Sequence, residues 1–360
     1  MSLLSRYVLR QLNLMTVYAL LALLSLYAFF DVLAEIGDMG EGNYSGGKML
    51  LYVLMQVPAH AYELMPLAVL VGALLALSQL SASSELTVIK TSGISVKRLI
   101  GMLLQFGAIF ALLTVCLGEW VMPTIGQYAA QFKLNATQNS VSANTSSGIW
   151  IKQPNAMINV AEMLPDGSLR NINIYRHNTQ FELEEAIHAE FAVPNQDKHN
   201  PMWHLHEAAL TRLGETETQT QRLPELDWQV AVNQELLNVL LVVPEQMSAN
   251  ALNTYVRYLQ ENHQQTMRYR LAWWRKLTYP FACLVMALVA LAFTPQQNRH
   301  GNMGLKLFFG ICLGLAFHFA GRLFGFTSQL YGVPPFLSAV LPSALFALGA
   351  VWLIRRQEKR

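Results

Sequence analysis

The sequence is short of charged residues and of cysteine. Charged side chains make up 13% of the 360 residues and the formal net charge is +2, so a basic surface for nucleic acid is not expected. The three cysteines, Cys116, Cys283 and Cys312, all fall in apolar segments, where they are expected to pack between helices. The sequence therefore predicts a protein without a disulfide framework and without a nucleic-acid partner.

Catalytic motifs are also lacking. The segment 42–48 has the glycine and lysine spacing of a phosphate-binding loop, but Met49 follows where a magnesium ligand should stand and no strand precedes the glycines. His204 and His206 could place two imidazoles on one strand face, yet no third metal ligand is fixed. The sequence thus predicts neither catalytic residues nor a metal or cofactor of its own, and it favours a transport protein over an enzyme.

Six long apolar stretches are the main feature that is present. Each is close to the roughly 20 residues that an α-helix needs to cross about 30 Å of hydrocarbon. The sequence therefore predicts an α-helical polytopic membrane protein with six transmembrane helices. The stretches are Gln11–Phe30, Leu64–Leu80, Leu99–Met122, Leu277–Phe293, Met303–Ala320 and Val333–Ile354.

A polar insert separates the third stretch from the fourth, and its hydrophobic period changes from helical to two. Short alternating runs separated by turn formers predict an all-β domain, either a sandwich, a jelly roll or an open barrel. The predicted strands are Gly148–Lys152, Ala156–Ala161, Arg170–Arg176, Ala186–Val193, Trp203–Arg212 and Asp227–Val232. The predicted division is helices 1–3 over 1–134, the β domain over 135–245, a connecting helix over 246–270 and helices 4–6 over 271–360.

The connecting segment is predicted to be amphipathic. Leu252, Tyr255, Val256 and Leu259 recur at the spacing of one helix face. This face could lie on the membrane or on the β domain.

The distribution of basic residues predicts the orientation. Lysine and arginine are concentrated at both termini and in the loops after the second and fourth stretches, while the insert has an excess of acidic residues. Basic loops stay in the cytoplasm, so both termini are expected there and the β domain on the opposite side.

The second apolar stretch is unusually long. The segment from Lys48 to Glu85 is nearly twice what one crossing requires but too short for two. We therefore predict one helix that extends beyond the membrane on the outer side and is kinked near Pro58 and Pro66.

A short cytoplasmic helix is predicted at about 83–93. Ser83 or Ser84 can cap its start, and Gly93 can end it. Glu85 complements the N-terminal dipole, and Leu86 and Ile89 share one face. Such a helix could dock in a soluble ATPase, or it could merely join two spans.

Several motifs resemble the LptF/LptG family, the permeases of the bacterial lipopolysaccharide exporter. They occur in the family's order over nearly the whole chain, and Glu119-Trp120 with Pro334-Pro335 favours the LptG branch over the LptF branch. The motifs are Ser84–Gly93, Gly118–Val121, Tyr255–Leu259, Arg268-Tyr269, Trp274–Lys276, Tyr331–Pro335 and Leu341–Ser343.

The resemblance implies one permease of an ATP-driven (ABC) exporter in the inner membrane of a Gram-negative bacterium. The expected partners are an LptF-like permease, two copies of an LptB-like ATPase that binds ATP and magnesium, LptC/LptA-like periplasmic proteins and lipopolysaccharide. The β domain is then expected to be a β-jellyroll in the periplasm. Glu85, Leu86, Ile89 and Gly93 would belong to the helix that couples the permease to the ATPase.

The resemblance also suggests where the substrate should bind. The family has basic residues near the outer end of the first helix, where this sequence has Asp31, Glu35 and Asp38. Arg322 is the candidate replacement for contact with a lipopolysaccharide phosphate; interfacial snorkelling or pairing with another span is the alternative. The residues that could line an apolar wall, unless they face lipid or pack between helices, are Tyr27, Phe30, Leu315 and Phe319.

Two other classes stay open on sequence alone. A lipoprotein-releasing type of ABC permease also has a large periplasmic domain but usually four spans. A membrane-bound lipid-modifying enzyme would need an acid or base at the outer interface, and Glu63, Glu119 and His60 are the candidates there.

Overall fold

A computed structural model gives the structure of the protein for residues 3–91, 96–137, 149–153, 155–163, 168–178, 180, 182–194, 202–214, 217–229, 244–261, 264–293 and 303–358. The helices are α1 (Leu3–Glu35), α2 (Gly46–Ala82), α3 (Glu85–Thr91), α4 (Val96–Cys116), α5 (Met122–Thr137), α6 (Ala249–Glu261), α7 (Met267–Ala292), α8 (Met303–Tyr331) and α9 (Pro335–Glu358). The strands are β1 (Ile149–Gln153), β2 (Ala156–Met163), β3 (Leu169–His177), β4 (Leu183–Pro194), β5 (Met202–Leu213) and β6 (Thr218–Gln229).

Within these residues, six helical segments are long and apolar enough to span a membrane: α1, α2, α4 continued into α5, α7, α8 and α9. The predicted six-span architecture is confirmed. Four spans extend further than predicted. Helix α1 covers Leu3–Glu35 and the third span continues to Thr137, while α7 begins at Met267 and α8 ends at Tyr331. These extensions contain polar residues that a search for apolar runs excludes but that an α-helix readily accepts.

The second span is a single helix, as predicted. It has 37 residues and is therefore about 55 Å long at 1.5 Å per residue, well beyond the thickness of the hydrocarbon layer. Pro58 and Pro66 both lie inside it.

Helices α2 and α7 lie at the centre of the membrane part. Side chains of α2, α4 and α7 form its main core, with Leu70, Leu103, Phe106 and Met286 completely buried. The packing of α1 on α2 is especially close at Gly72, where an added Cβ would lie 2.3 Å from the Thr16 Cα. A side chain at position 72 therefore cannot be accommodated without moving α1.

The three cysteines are free and differ in their surroundings. Cys283 is buried in the core, and its sulfur lies 3.5 Å from the Thr114 hydroxyl. Cys116 is half-buried, whereas Cys312 is exposed. The expectation that all three pack between helices was therefore wrong for Cys312.

The third span changes its helical geometry in the part that leads toward the inserted domain. Helix α4 leads through a π-helical turn, Leu117–Val121, into α5. A π turn inserts one residue into the hydrogen-bonding pattern and often occurs at functional positions. Here it contains Glu119, whose role is described below.

The inserted domain is an antiparallel six-stranded sheet with the strands in sequential order, β1 to β6. This confirms the predicted all-β insert. The last strand, β6, starts at Thr218, whereas the sequence predicted a strand over 227–232. Its first residues are all polar and exposed, so they give no alternation signal. Residues 138–148 and 230–243 lie outside the described part, and the domain boundaries stay predictions.

Two residues with positive φ angles lie level with each other in strands β3 and β5, and we call the row across the sheet at this level the line. Asn171 in β3 and Glu207 in β5 have positive φ angles of 51° and 53°, and both are skipped in the pairing of neighbouring strands. The alternation of buried residues changes phase at this line: Leu169 and Ile172 are both buried in β3 although they are an odd number of positions apart. A strict period of two therefore holds only on each side of the line.

Helix α6 is amphipathic as predicted, and its apolar face packs on α7. Leu252, Tyr255 and Leu259 are buried in a cluster with Ala272 of α7, whereas Val256 is only partly buried. The apolar face thus holds α6 against the first part of the fourth span.

Candidate functional site

The predicted coupling helix is present as the seven-residue α3. It is not capped by a serine side chain as the sequence suggested. The Ser83 hydroxyl donates to the Gln79 carbonyl at 3.1 Å, which ends α2. Ser84 instead adopts a positive φ of 62° between the two helices, and its carbonyl accepts the Val88 N–H at 3.1 Å.

The burial of α3 differs from the predicted docking face. Ile89 is only 5% exposed and belongs to the core of the membrane part, so it anchors α3 to its own chain and is not available to a soluble partner. Val88 is an apolar side chain of α3 that is 64% exposed. The Leu86 side chain and Gly93 lie outside the part of the chain that the structure describes.

Glu85 connects α3 to the first span. Its carboxylate hydrogen-bonds the hydroxyl of Tyr7 near the start of α1. Glu85 is partly exposed, so the carboxylate can also contact a partner. The arrangement links α3 directly to α1.

Arg322 lies in an ionic cluster with two neighbours. Glu63 of α2 is 3.6 Å from the Arg322 guanidinium and 3.4 Å from His318 Nε2, both on α8. The Arg322 side chain is still 63% exposed. Pairing with another span, the alternative considered for Arg322, is therefore observed, and the guanidinium nevertheless stays accessible to a ligand.

The acidic residues at the outer end of α1 also have partners. Asp31 lies 2.7 Å from His60 of α2, and the ring of Tyr27 lies against the same imidazole, with 5.1 Å between centroids. These contacts hold α1 to α2 at the level where the family resemblance led us to expect basic residues.

Lys133 of α5 was not singled out from the sequence. Its ammonium contacts Glu35 at 2.8 Å and Asp38 at 2.9 Å, and the Tyr44 hydroxyl donates to the other Glu35 oxygen at 3.0 Å. Burial, reinforced by this hydrogen bond, raises the pKa of Tyr44 above its ordinary value. The loop between α1 and α2 is thus fastened to the third span. The only sequence signal was a single lysine after the third apolar stretch, on the same predicted side of the membrane as the acidic loop that follows the first stretch.

The predicted apolar wall does not enclose a cavity within the chain. Phe30 on α1 and Leu315 and Phe319 on α8 are all exposed, Phe319 to 67%, and Tyr27 is partly buried. These side chains lie on the outer surface of the subunit. A cavity of about 640 Å³, open to the surface on one side, is lined by Arg322 but by none of these four residues.

Glu119 holds the start of α6. Its two carboxylate oxygens accept the Ala249 N–H at 3.0 and 3.3 Å, where a helix has backbone donors without intrahelical acceptors. Nearby, the buried Lys276 donates to the Met247 carbonyl. Glu119 therefore makes a contact at the end of the span, whereas Trp120 is 68% exposed and is not packed inside the chain.

Replacing Glu119 by alanine is expected to destabilise the junction between the third span and α6. Loss of a capping acceptor costs about 0.5–2 kcal/mol, so we expect a melting temperature several degrees lower for the purified chain and faster proteolysis near residues 244–249. Glu261→Ala is the control, because Glu261 is an exposed acid at the opposite end of α6. Equal melting curves for both variants would contradict the capping role.

The groups considered for enzymatic chemistry have structural partners. His60 pairs with Asp31, Glu63 with His318 and Arg322, and Glu119 with the start of α6. In the sheet, His204 lies 2.5 Å from Asp227, and His206 lies 3.6 Å from Glu225. Among the described residues no three potential ligands form a metal site.

Comparison with known proteins agrees with this architecture. Residues 6–356 match the family described as Lipopolysaccharide export system permease LptF/LptG. Lipopolysaccharide export system permease protein LptG of Escherichia coli K12 is 30% identical over 344 residues, which cover 95% of this chain and 94% of that protein. The protein of the same name from Haemophilus influenzae is 27% identical over 338 residues, 94% of each chain.

Proposed function

Because this chain belongs to the LptF/LptG family of lipopolysaccharide export permeases, we propose that it is the LptG-type permease of an ATP-driven exporter that extracts lipopolysaccharide from the inner membrane. The observation that carries the proposal is the family match from residue 6 to residue 356, which includes both the six spans and the inserted sheet. The chain is a transport subunit and not an enzyme.

The proposed topology follows the positive-inside bias. The chain is a multi-pass inner-membrane protein, and we place both termini and α3 in the cytoplasm and the β domain in the periplasm. Arg355 and Arg356 in the last turn of α9 support this orientation. The six spans also differ from the four that are usual in lipoprotein-releasing permeases.

The proposed partners are those of a half-transporter. An LptF-like permease would complete the membrane part, two LptB-like ATPases would bind ATP and magnesium beneath it, and LptC/LptA-like proteins would continue the β domain. Energy must come from a partner, since the described residues hold no catalytic constellation. Helix α3 supports this arrangement, because its partly exposed Glu85 is hydrogen-bonded to α1, so a movement of the ATPase can reach a membrane helix.

The substrate path is proposed to run along the outward faces of α1 and α8. Phe30, Leu315 and Phe319 expose large apolar side chains there. A paralogous permease facing this surface would enclose it and form an apolar-walled cavity suited to acyl chains. Tyr27 would lie at its polar edge, beside His60.

Arg322 is proposed to contact a lipopolysaccharide phosphate. The Glu63 carboxylate lies 3.6 Å from the Arg322 guanidinium and supplies its counter-charge when no phosphate is bound. Arg322→Ala should lower the stimulation of ATPase activity by lipopolysaccharide about tenfold, the loss expected for one charge-assisted contact. Arg257→Ala is the control, since Arg257 is an exposed arginine on α6. If stimulation is unchanged in Arg322→Ala, this residue does not bind the substrate.

Affinity purification tests the proposed function. The tagged chain should be isolated from membranes in mild detergent and its co-purifying proteins and lipids identified by mass spectrometry. We expect a paralogous six-span permease, an ATPase at two copies per pair, and lipopolysaccharide. Recovery of the chain with neither ATPase nor lipopolysaccharide would contradict the proposal.

A further inference from the structure

A cavity of about 640 Å³, open to the surface on one side, lies between α2, α7, α8 and α9. Its lining combines apolar side chains such as Phe317, Phe326 and Pro342 with four basic ones. The basic residues are Arg268, Arg275, Lys276 and Arg322. This is the size and mixed lining of a ligand site.

On the proposed topology, the cavity lies at the depth of lipid headgroups. Arg275 is 17 residues from the inner end of α7, which corresponds to about 26 Å along the helix axis. The hydrocarbon layer is about 30 Å thick, so Arg275 is near its outer boundary. Phosphate groups of membrane lipids lie just beyond this boundary.

Positive charge exceeds negative charge in the lining. Two carboxylates, Glu63 and Glu245, face the four basic residues. The nitrogen–oxygen distances in both ion pairs are long: 3.6 Å between Arg322 and Glu63, and 4.0 Å between Arg268 and Glu245. Excess positive charge in a partly enclosed site is stabilised by an anion.

Arg275 is held in the cavity wall without a carboxylate partner. Its guanidinium donates to the Gly321 carbonyl on α8, and among the described residues none forms an ion pair with it. Gly325 makes this position possible, because an added Cβ would lie 2.2 Å from the Arg275 Nη2. A guanidinium has five N–H donors, so most of its hydrogen-bonding capacity is not used by described acceptors.

Ser338 gives an independent indication of a ligand. The residue is 1% exposed and lines the same cavity. Its hydroxyl oxygen is buried and has no hydrogen-bond partner among the described residues. Such an unsatisfied buried group is costly and calls for a partner.

We propose that this cavity binds the anionic phosphate of a membrane-lipid headgroup, with Arg275 and Ser338 as its main contacts. A glycerophospholipid and lipopolysaccharide both present this chemistry. The depth of the site rests on the proposed topology, but the site lies within one subunit and needs neither the ATPase nor a second permease. The acyl chains of the lipid would remain outside, among the membrane helices.

Retention of lipid by the purified full-length chain, with its co-purifying partners, tests the site. The protein is incubated with vesicles of phosphatidylcholine containing phosphatidylglycerol, or separately lipopolysaccharide, and repurified before native mass spectrometry. We expect anionic lipid to be retained in at least one arm, and the arm identifies its source. Arg275→Gln should lower retention about tenfold, because a charge-assisted contact is lost. Arg257→Gln, on the exposed face of α6, should leave retention unchanged.

Two further variants, Ser338→Ala and Gly325→Ala, test the site if Arg275→Gln fails to fold. Ser338→Ala should lower retention several-fold without lowering the melting temperature of the lipid-free protein, since it removes an unsatisfied group. Gly325→Ala should displace the Arg275 guanidinium and act like its loss. Retention of neither anionic lipid by the wild type, or equal retention by all variants, would overturn the site. Unchanged recovery of the ATPase and paralogous permease would show that the proposed function stands independently.

Discussion

Reversing the charge at Glu85 is expected to separate ATP hydrolysis from lipopolysaccharide export. Glu85 is the partly exposed acid of α3, and it hydrogen-bonds Tyr7 of α1. Loss of one charge-assisted contact costs about 1.5–3 kcal/mol, which corresponds to a tenfold to hundredfold weaker association. In Glu85→Lys we expect lower recovery of the ATPase, or ATP hydrolysis that no longer depends on lipopolysaccharide.

Tyr7→Phe is the matched control for Glu85→Lys. It removes the contact inside the chain but leaves the carboxylate available to a partner. Full ATPase recovery in Tyr7→Phe together with loss in Glu85→Lys would assign the effect to the partner contact. Unchanged transport by Glu85→Lys would remove Glu85 from the coupling surface.

A side chain at position 72 is expected to separate α1 from α2. The Gly72 backbone is so close to Thr16 that even a Cβ would lie 2.3 Å from its Cα, and backbone cannot move as a flexible side chain can. Overpacking of this kind costs about 1–3 kcal/mol or more. Gly72→Val should therefore lower the melting temperature and the membrane level of the protein.

Gly101→Ala is the control for Gly72→Val. An added Cβ at Gly101 meets nothing within 4 Å, and alanine is a better helix former by about 1 kcal/mol. This variant should be as stable as the wild type or more so. If Gly72→Val melts at the wild-type temperature, α1 does not pack on α2 as closely as the structure shows.

The membrane helices were predictable because the signal is strong and local. A run of about 20 apolar residues is typical of a membrane-spanning helix, and even the single long α2 followed from its length. The ends were less predictable, since α7 begins with Met267 and then carries Arg268 and Arg270. Such residues lower the hydropathy of a segment but do not end a helix.

The β domain was predictable only where alternation is regular. The phase change at Asn171 and Glu207 is a property of backbone conformation, and no spacing in the sequence announces it. Strand β6 begins with exposed polar residues, so its first half had no apolar pattern to identify it. The existence of the domain was therefore clear, and its exact strands were not.

The site residues could be nominated from sequence, but their contacts could not. Glu63 and Arg322 are far apart in the chain, so only the fold shows that they pair. The same is true of Lys133 with Glu35. Ile89 was assigned to a partner because its spacing suits an exposed ridge, whereas the structure buries it in the chain's own core. Helical spacing identifies a face but not what covers it.

The most direct test of the transport function is ATP-driven transfer of lipopolysaccharide by a reconstituted complex. The chain, its paralogous permease and the ATPase would be placed in proteoliposomes containing lipopolysaccharide, with the periplasmic partners added as acceptors. Transfer to the acceptor, measured by cross-linking, should require ATP and should fail when this chain is omitted. Equal transfer without ATP or without this chain would contradict the account.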